Sequence, residues 1–398
     1  MDRFGVEPWC RHVLLCPSVK LAVPTESLSG ERRVAVTPDV AAKLTASGIE
    51  VAVQAGAGVA AHFPDSSYAD NGATVAADRA VLLAGADLVT KVQPPTLEEV
   101  QALVAGTSTV SFLAPSANLE VIRALAARGA TAYSLELVPR ISRAQSMDAL
   151  SSQATVSGYL AGLAAAERLP KFFPMFMTAA GTVPPARVLV LGAGVAGLQA
   201  IATARRLGAQ VRAYDVRAAA REEVQSLGAA FVELPLETQE GSGGYAREQS
   251  EDFLARQREL IGNEVASSDV VITTAAVPGR KAPILVTAEM VDRMVEGSVV
   301  VDLAADTGGN CELTEPGLEV DRGGVVVYGM TNPPAAMPTH ASFLFARNVA
   351  NFLGLLVKDG KLDPDFDDEI IAGACVVRSG EVVHQPTREL LESKEGGS

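Results

Sequence analysis

The stretch that most constrains how this chain can fold is Arg187–Arg217. Arg187–Leu191 is short and nearly all apolar, suited to a parallel strand buried on both faces. It breaks into Gly192-Ala193-Gly194-Val195-Ala196-Gly197, after which the apolar periodicity of Leu198–Leu207 predicts a helix. A second apolar run, Gln210–Tyr214, ends at Asp215, followed by Val216 and Arg217. Gly192 permits a tight turn, Gly194 lets backbone approach a pyrophosphate, and Gly197 lets the helix pack on the strand. The helix start at Val195-Ala196 adds N–H donors and a positive dipole end. An acid about 20 residues past the turn completes a dinucleotide-binding pattern. Asp215 would accept hydrogen bonds from ribose hydroxyls and repel a 2′-phosphate, which selects NAD. Arg217 is a countersignal, because a nearby Arg accepts a 2′-phosphate; the acid at the strand end outweighs it.

The rest of the chain must build a fold around that site. With 398 residues, two domains can each bury a core, and 48% apolar, 20% charged and 35 Gly suit an α/β enzyme. A net charge of −14 argues against nucleic acid or anionic lipid as partner. No apolar run reaches the roughly 18 residues of a membrane span. Cys10, Cys16, Cys311 and Cys375 show neither zinc nor disulfide spacing and read as reduced thiols. Residues 1–18 lack the apolar core of a secretory signal and read as an N-terminal extension.

Apolar runs at Lys20–Val23, Glu50–Gln54, Leu88–Val92, Thr109–Phe112 and Thr131–Ser134, with helical stretches between the later ones, predict a first parallel sheet. Runs near Ala230–Leu234, Val270–Thr274, Val299–Leu303 and Val325–Tyr328 join the opening two strands to make six, the number of a full dinucleotide-binding sheet. The expected class is therefore α/β, with two doubly wound parallel-sheet domains, the second a Rossmann domain inserted in the first. The first domain is residues 19–150 plus 335–392, the Rossmann domain residues 184–330. Residues 151–183 hold a linking helix and connector. A long helix from about Ser342 to Val357 should return the chain to the first domain.

Dehydrogenases of alcohols or amines need a general acid/base, commonly histidine. This chain has only His12, His62, His340 and His384, each in a context that suits a solvated loop or chain end. Hydride passing between two nicotinamides releases no proton at the reacting carbons, so such a reaction needs no base there. The polar segment Arg140–Gln153 (RISRAQSMDALSSQ) is the candidate nicotinamide end. Gln145 could pair with a carboxamide, while Arg140, Asp148, Ser151 and Ser152 fix it and the nearby ribose. Equally, Asp148 or Ser146 could simply cap a helix. The Gly-rich stretch 233–256 with Tyr245 suits either a lid or a solvated loop. Asp302 and Asp306 could be catalytic or capping.

These motifs resemble a known family, the NAD(H)-binding alpha subunits (domain I) of proton-translocating NAD(P) transhydrogenases, and more distantly the alanine dehydrogenases. The resemblance rests on ERRVAVTP (Glu31–Pro38), KVQPP (Lys91–Pro95), RISRAQSMDALSSQ and GAGVAGLQA (Gly192–Ala200). DVR (Asp215–Arg217), GGYA (Gly243–Ala246), TTAAVPG (Thr273–Gly279), VDLAADTGGN (Val301–Asn310) and TNPPAAMP (Thr331–Pro338) complete it. It implies that Arg140, Ile141, Ser142, Arg143, Gln145, Ser146, Met147, Asp148 and Ser151 surround the nicotinamide end, with Arg140, Gln145, Asp148 and Ser151 as the catalytic group. Val195 would lie at the pyrophosphate, Asp215 and Arg217 at the adenosine ribose. Tyr245 would tip a mobile lid, and Gly244, Gln257 and Ala276 would line the adenine side.

The resemblance further implies a homodimer, peripheral on the cytoplasmic face of a membrane. Its partners would be a membrane-domain subunit and an NADP(H)-binding beta subunit. Hydride would pass directly from NADH here to NADP there. In the alanine dehydrogenases Arg33 would hold a carboxylate and Lys91 would contact pyruvate. The segment where those enzymes carry a catalytic His reads SFLAPSAN here (Ser111–Asn118), without one. A non-catalytic NAD sensor is the remaining alternative.

Overall fold

The computed structural model describes residues 18–233, 251–276 and 281–395. Residues 1–17, with most of the expected extension, lie outside that description, as do Gly244 and Tyr245 of the expected lid.

Both expected sheets are present. The first has eight strands, in the spatial order Glu381–Val382, Cys375–Arg378, Thr131–Ser134, Ser108–Ser111, Leu88–Thr90, Lys20–Val23, Glu50–Gln54 and Thr74–Ala76. The six strands drawn from the N-terminal part pair in parallel; the two C-terminal ones pair antiparallel. The second sheet has seven strands, in the order Ala230–Phe231, Gln210–Tyr214, Arg187–Leu191, Val270–Thr273, Val299–Asp302, Val325–Gly329 and Glu319–Arg322. Its first six are the six strands expected, in the 3-2-1-4-5-6 order of a dinucleotide-binding sheet.

Each sheet differs from expectation at one edge, which is antiparallel. Cys375–Arg378 turns into Glu381–Val382 through Ser379-Gly380 (φ +46° and +87°), and Glu319–Arg322 into Val325–Gly329 through Gly323-Gly324 (φ +60° and +80°). Two central residues with positive φ make the tight hairpin turn whose twist matches the strands it joins. Both turns are visible as the dipeptides SG and GG between apolar runs. A reading tuned to strand–helix alternation passes over them.

Each sheet carries an apolar cluster on both faces, as double winding requires. The helix Pro338–Leu356 returns to the first sheet, as expected, beginning four residues earlier than the sequence suggests. Phe345 and Phe352 are fully buried there, with ring centroids 5.3 Å from Phe112 and 5.5 Å from Tyr133. Each such burial contributes about 2–3 kcal/mol.

The helix Ala149–Arg168 joins the two halves. Asp148 caps its N-terminus and Arg168 sits at its negative C-terminal end. It crosses the helix Val195–Arg206 closely because Gly158 and Gly162 face that helix. A Cβ on Gly158 would lie 2.0 Å from the Ala196 carbonyl oxygen, and one on Gly162 would lie 2.9 Å from Thr203 Cγ2. The connector after it is not featureless: Phe176–Thr178 and Gly181–Val183 form a small hairpin, exposed along both strands.

Candidate functional site

The glycine turn lies at the C-terminal end of Arg187–Leu191, an interior strand of the second sheet. Gly192 adopts φ +97°, and a Cβ there would lie 2.7 Å from Thr274 Oγ1. A Cβ on Gly197 would lie 1.9 Å from the Gly192 carbonyl oxygen, so helix and turn are in backbone contact. Gly194 differs. A Cβ on it would meet nothing within 4 Å, so packing does not demand glycine there. The open space at its backbone is what close approach of a pyrophosphate would need. The first N–H bonded within the helix is that of Leu198, to the Gly194 carbonyl, which leaves those of Val195, Ala196 and Gly197 directed outward at the positive helix end.

Asp215 closes the turn. Its carboxylate accepts hydrogen bonds from the Ala193 N–H (2.7 Å) and from the Arg217 N–H (2.9 Å). The Arg217 guanidinium grips both its oxygens, at 3.0 and 3.1 Å, and donates to the Ala193 carbonyl. Arg217 is thus committed to the acid, which removes its force as a signal for a 2′-phosphate. Val216 is half-buried beside them. Gln257 is buried and donates to the Tyr214 hydroxyl at 3.0 Å, while burial pushes that hydroxyl up to about 12 against the pull of the Gln257 bond.

The neighbouring loop is organised by two residues the sequence did not single out, Thr274 and Asn310. Thr274 Oγ1 donates to the Gly192 carbonyl at 3.0 Å. Asn310 accepts from the Ala275 N–H and donates to the carbonyls of Ala275 and Pro283. This leaves Ala276 exposed at the rim of the turn. Asp302, fully buried, accepts from the N–H groups of Ala304, Asn310 and Cys311 and from Thr314 Oγ1. Four donors on one carboxylate make it an organiser of this loop, the capping alternative rather than the catalytic one. Asp306 is exposed and accepts from the Asn332 N–H.

The candidate nicotinamide loop belongs to the first domain. Ser142–Met147 forms a 3₁₀ turn, followed directly by the Asp148 cap. Met147 and the neighbouring Ala144 are buried in the first core and Ile141 packs against it, so these three anchor the loop. From below, Asn348 and Asn351 donate to the Ser146 carbonyl at 2.9 and 3.0 Å. Arg143 is held by Asp368 at 2.6 and 2.8 Å, and that guanidinium holds the Asp368 carboxyl down at about 2. Asp148 accepts from the Ser151 N–H (2.8 Å) and hydroxyl (2.6 Å), so the capping alternative is the one observed. Ser152 points the other way, to Asn348 at 2.7 Å. Arg140, Ser142 and Gln145 are exposed, and the Gln145 amide makes no side-chain hydrogen bond among the described residues. An anchored loop with a presented amide is suited to recognising a carboxamide.

One rod connects the two halves. The linking helix starts at the loop and touches the glycine-turn helix at Gly158, about 14 Å further along at 1.5 Å per residue. None of the described histidines hydrogen-bonds to either half; His384 pairs with Thr387.

The two cations implied for an oxo acid are satisfied internally. Arg33 binds both oxygens of Glu31 at 2.6 and 2.8 Å and donates to Gln153 at 2.9 Å. Burial raises the Glu31 pKa, yet Arg33 outweighs it and holds that carboxyl at about 2. Lys91 lies 2.6 Å from Glu99 and 4.0 Å from Glu26. Burial pushes Glu26 up to about 7 in spite of Lys91.

The chain matches two family profiles in sequence. These are the alanine dehydrogenase/PNT N-terminal domain over residues 22–157 and the alanine dehydrogenase/PNT C-terminal domain over residues 161–385. It is 49% identical over 376 residues to an NAD(P) transhydrogenase alpha-subunit chain of Rhodospirillum rubrum, covering 92% of this chain and 98% of that one. Its structure resembles that of a transhydrogenase from Sinorhizobium meliloti, with TM-score 0.84 and 43% identity, over 92% of this chain and all (100%) of the other. An L-alanine dehydrogenase structure superposes with TM-score 0.80 at 26% identity, over 94% of this chain and 99% of the other. These likenesses support an oxidoreductase role with NAD(H) as ligand. The chain belongs to the alanine dehydrogenase/PNT family, and within it is most similar to transhydrogenase alpha subunits among these relatives.

Proposed function

We propose that this protein is the NAD(H)-binding subunit of a proton-translocating NAD(P) transhydrogenase. It holds NADH while hydride passes directly to NADP on an NADP(H)-binding beta subunit, coupled to proton movement through a membrane-domain subunit. The observation that carries this reading is the pairing of two half-sites on one rod with no histidine among the described residues hydrogen-bonded to either. The outward N–H groups of Val195–Gly197 and the Asp215–Arg217 pair would hold the pyrophosphate and adenosine ribose. Gln145, presented by an anchored loop, would orient the nicotinamide by its carboxamide, and the Asp148–Ser151 pair would fix the adjoining ribose. A bound nicotinamide supplies the hydride donor. The residues around it bind, orient and exclude water, which is sufficient because no proton moves at the reacting carbons.

Amino-acid oxidation is the weaker reading, because Arg33 and Lys91 already hold this chain's own carboxylates. No described helix is long and apolar enough to cross a membrane. A homodimer is part of the proposal. Phe172, Met175, Phe176, Met177 and Val183, all exposed on or beside the connector hairpin, supply an apolar patch of the kind that assembly covers. The test is reconstitution of the chain with NADP(H)-binding and membrane subunits. NADH-dependent reduction of an NADP analogue is expected; an inert mixture, or NADH oxidation by pyruvate and ammonium with the chain alone, refutes it.

A further inference from the structure

Four sequence segments are left without a role by that site: ERRVAVTP, KVQPP, TNPPAAMP and the Asp306 end of VDLAADTGGN. In the structure they meet. Asn332 receives the Arg33 guanidinium on its Oδ1 at 3.1 Å and donates through Nδ2 to Glu31 at 3.0 Å. Its backbone N–H donates to Asp306 at 3.0 Å. Gln93 donates to the same Glu31 oxygen at 2.8 Å. Arg33 reaches Gln153, whose amide in turn donates to the Ala341 carbonyl. First domain (Glu31, Arg33, Gln93), linking helix (Gln153), second domain (Asp306) and returning helix (Ala341) are thereby tied through one cluster.

Two physical features say that this cluster fixes position. The Arg33–Glu31 pair is buried, with side chains 3% and 0% exposed, and a buried ion pair scarcely improves stability over apolar packing. What it does supply is direction, through a planar fork that admits one geometry. Asn332 adopts φ +41°, a left-handed conformation that is unfavourable for a residue other than glycine and persists where surroundings enforce it. The strain lies at the point where the chain leaves the second sheet, after Val325–Gly329, for the first.

We propose that Asn332, with Arg33 and Glu31, is an interdomain latch that sets the distance between the Arg140–Ser152 loop and the glycine turn. Asn332 is a positioning residue: it acts through the loop and turn without touching the nucleotide. The mechanistic part rests on the transhydrogenase reading; the geometric part does not. Held apart correctly, the two half-sites stretch one dinucleotide into a single pose; released, each still binds its own end.

The test is Asn332→Gly, which keeps the left-handed backbone and removes both side-chain bonds. Nitroxides on cysteines introduced at Glu120 and Glu223, both exposed and one in each domain, report the interdomain distance by pulsed electron resonance in the full chain with Cys10 and Cys16 replaced by serine. The latch predicts a broadened distance distribution, NADH affinity within about threefold of the parent, and hydride transfer in the reconstituted enzyme reduced roughly 10- to 100-fold. An unchanged distance distribution overturns it, whatever happens to activity. So does a broadened distribution with unchanged turnover. If the parent reconstitution is itself inert, the transhydrogenase reading fails, and the distance measurement still decides the latch.

Discussion

The two halves of the proposed site are built from different materials. The proposed adenosine half is backbone: a strand end, two glycines that packing demands and one that faces open space, and N–H groups at a helix start. Asp215 is the acid that closes it, and even that carboxylate takes two of its donors from the main chain. The nicotinamide half is side chains, namely Gln145, Asp148 and Ser151, displayed on a short 3₁₀ turn that Met147, Asn348 and Asn351 hold in place. A backbone site is specified by where no side chain fits, so it tolerates little and discriminates little. A side-chain site is specified by which polar groups it presents and how they are held, and that is where the proposed reading puts the chemistry.

Steric duty gives the largest expected effects. Gly197→Val places side-chain atoms against the Gly192 carbonyl, where even a Cβ would lie at 1.9 Å, and should cost about 3 kcal/mol or more, read as lost soluble protein or a collapsed thermal midpoint. Gly194→Val meets open space in the protein, so the chain should fold normally while NADH affinity falls by at least about tenfold, near 1.4 kcal/mol. Equal stability loss in the two variants would break the distinction between packing glycines and the ligand-facing one.

Asp215→Asn leaves Arg217 without its anionic partner. The ratio of NADH to NADPH affinity should drop by roughly 100-fold, which is about 2.7 kcal/mol, measured by titration of the isolated chain. In the other half, Gln145→Asn should leave NADH affinity within about threefold and slow hydride transfer about tenfold, since it shortens the presented amide by one methylene. Loss of affinity equal to loss of rate would make Gln145 a binding residue only.

The last effect is on stability rather than on binding or rate, and concerns the buried ion cluster at Lys91. Glu26 is raised to about 7, so its contribution to stability is complete below its ordinary value of 4.5 and is lost as pH rises through 7. Glu31, held at about 2, behaves oppositely: its contribution is present above 4.5 and lost only as pH falls through 2. Between pH 5 and 8 the thermal midpoint should therefore decline by a few degrees, an effect of order 1–3 kcal/mol, and Glu26→Gln should flatten that decline. A slope unchanged in Glu26→Gln would assign it to another group.

The same contrast explains what the sequence disclosed. The six strands of the second sheet and the glycine turn were legible because buried parallel strands are continuous apolar runs, and because glycine spacing reports backbone contacts directly. The edge hairpins were missed although Ser379-Gly380 and Gly323-Gly324 mark them, since their strands are short and partly exposed. Asp148 reads equally as cap or ligand from sequence, and the structure shows the cap, with Ser151 as its partner. Gly158, Thr274, Asn310 and Asn332 were illegible for a common reason: each acts on residues far away in sequence, and nothing local distinguishes them. Periodicity carries local structure; it does not carry which loops meet.

The central claim is direct passage of hydride between two nucleotides. With NADH deuterated at the transferring C4 position, the reconstituted enzyme should yield NADPH that retains the label at its own C4, at the same fraction in light and heavy water. Label appearing in solvent, or solvent hydrogen appearing at C4, would contradict it.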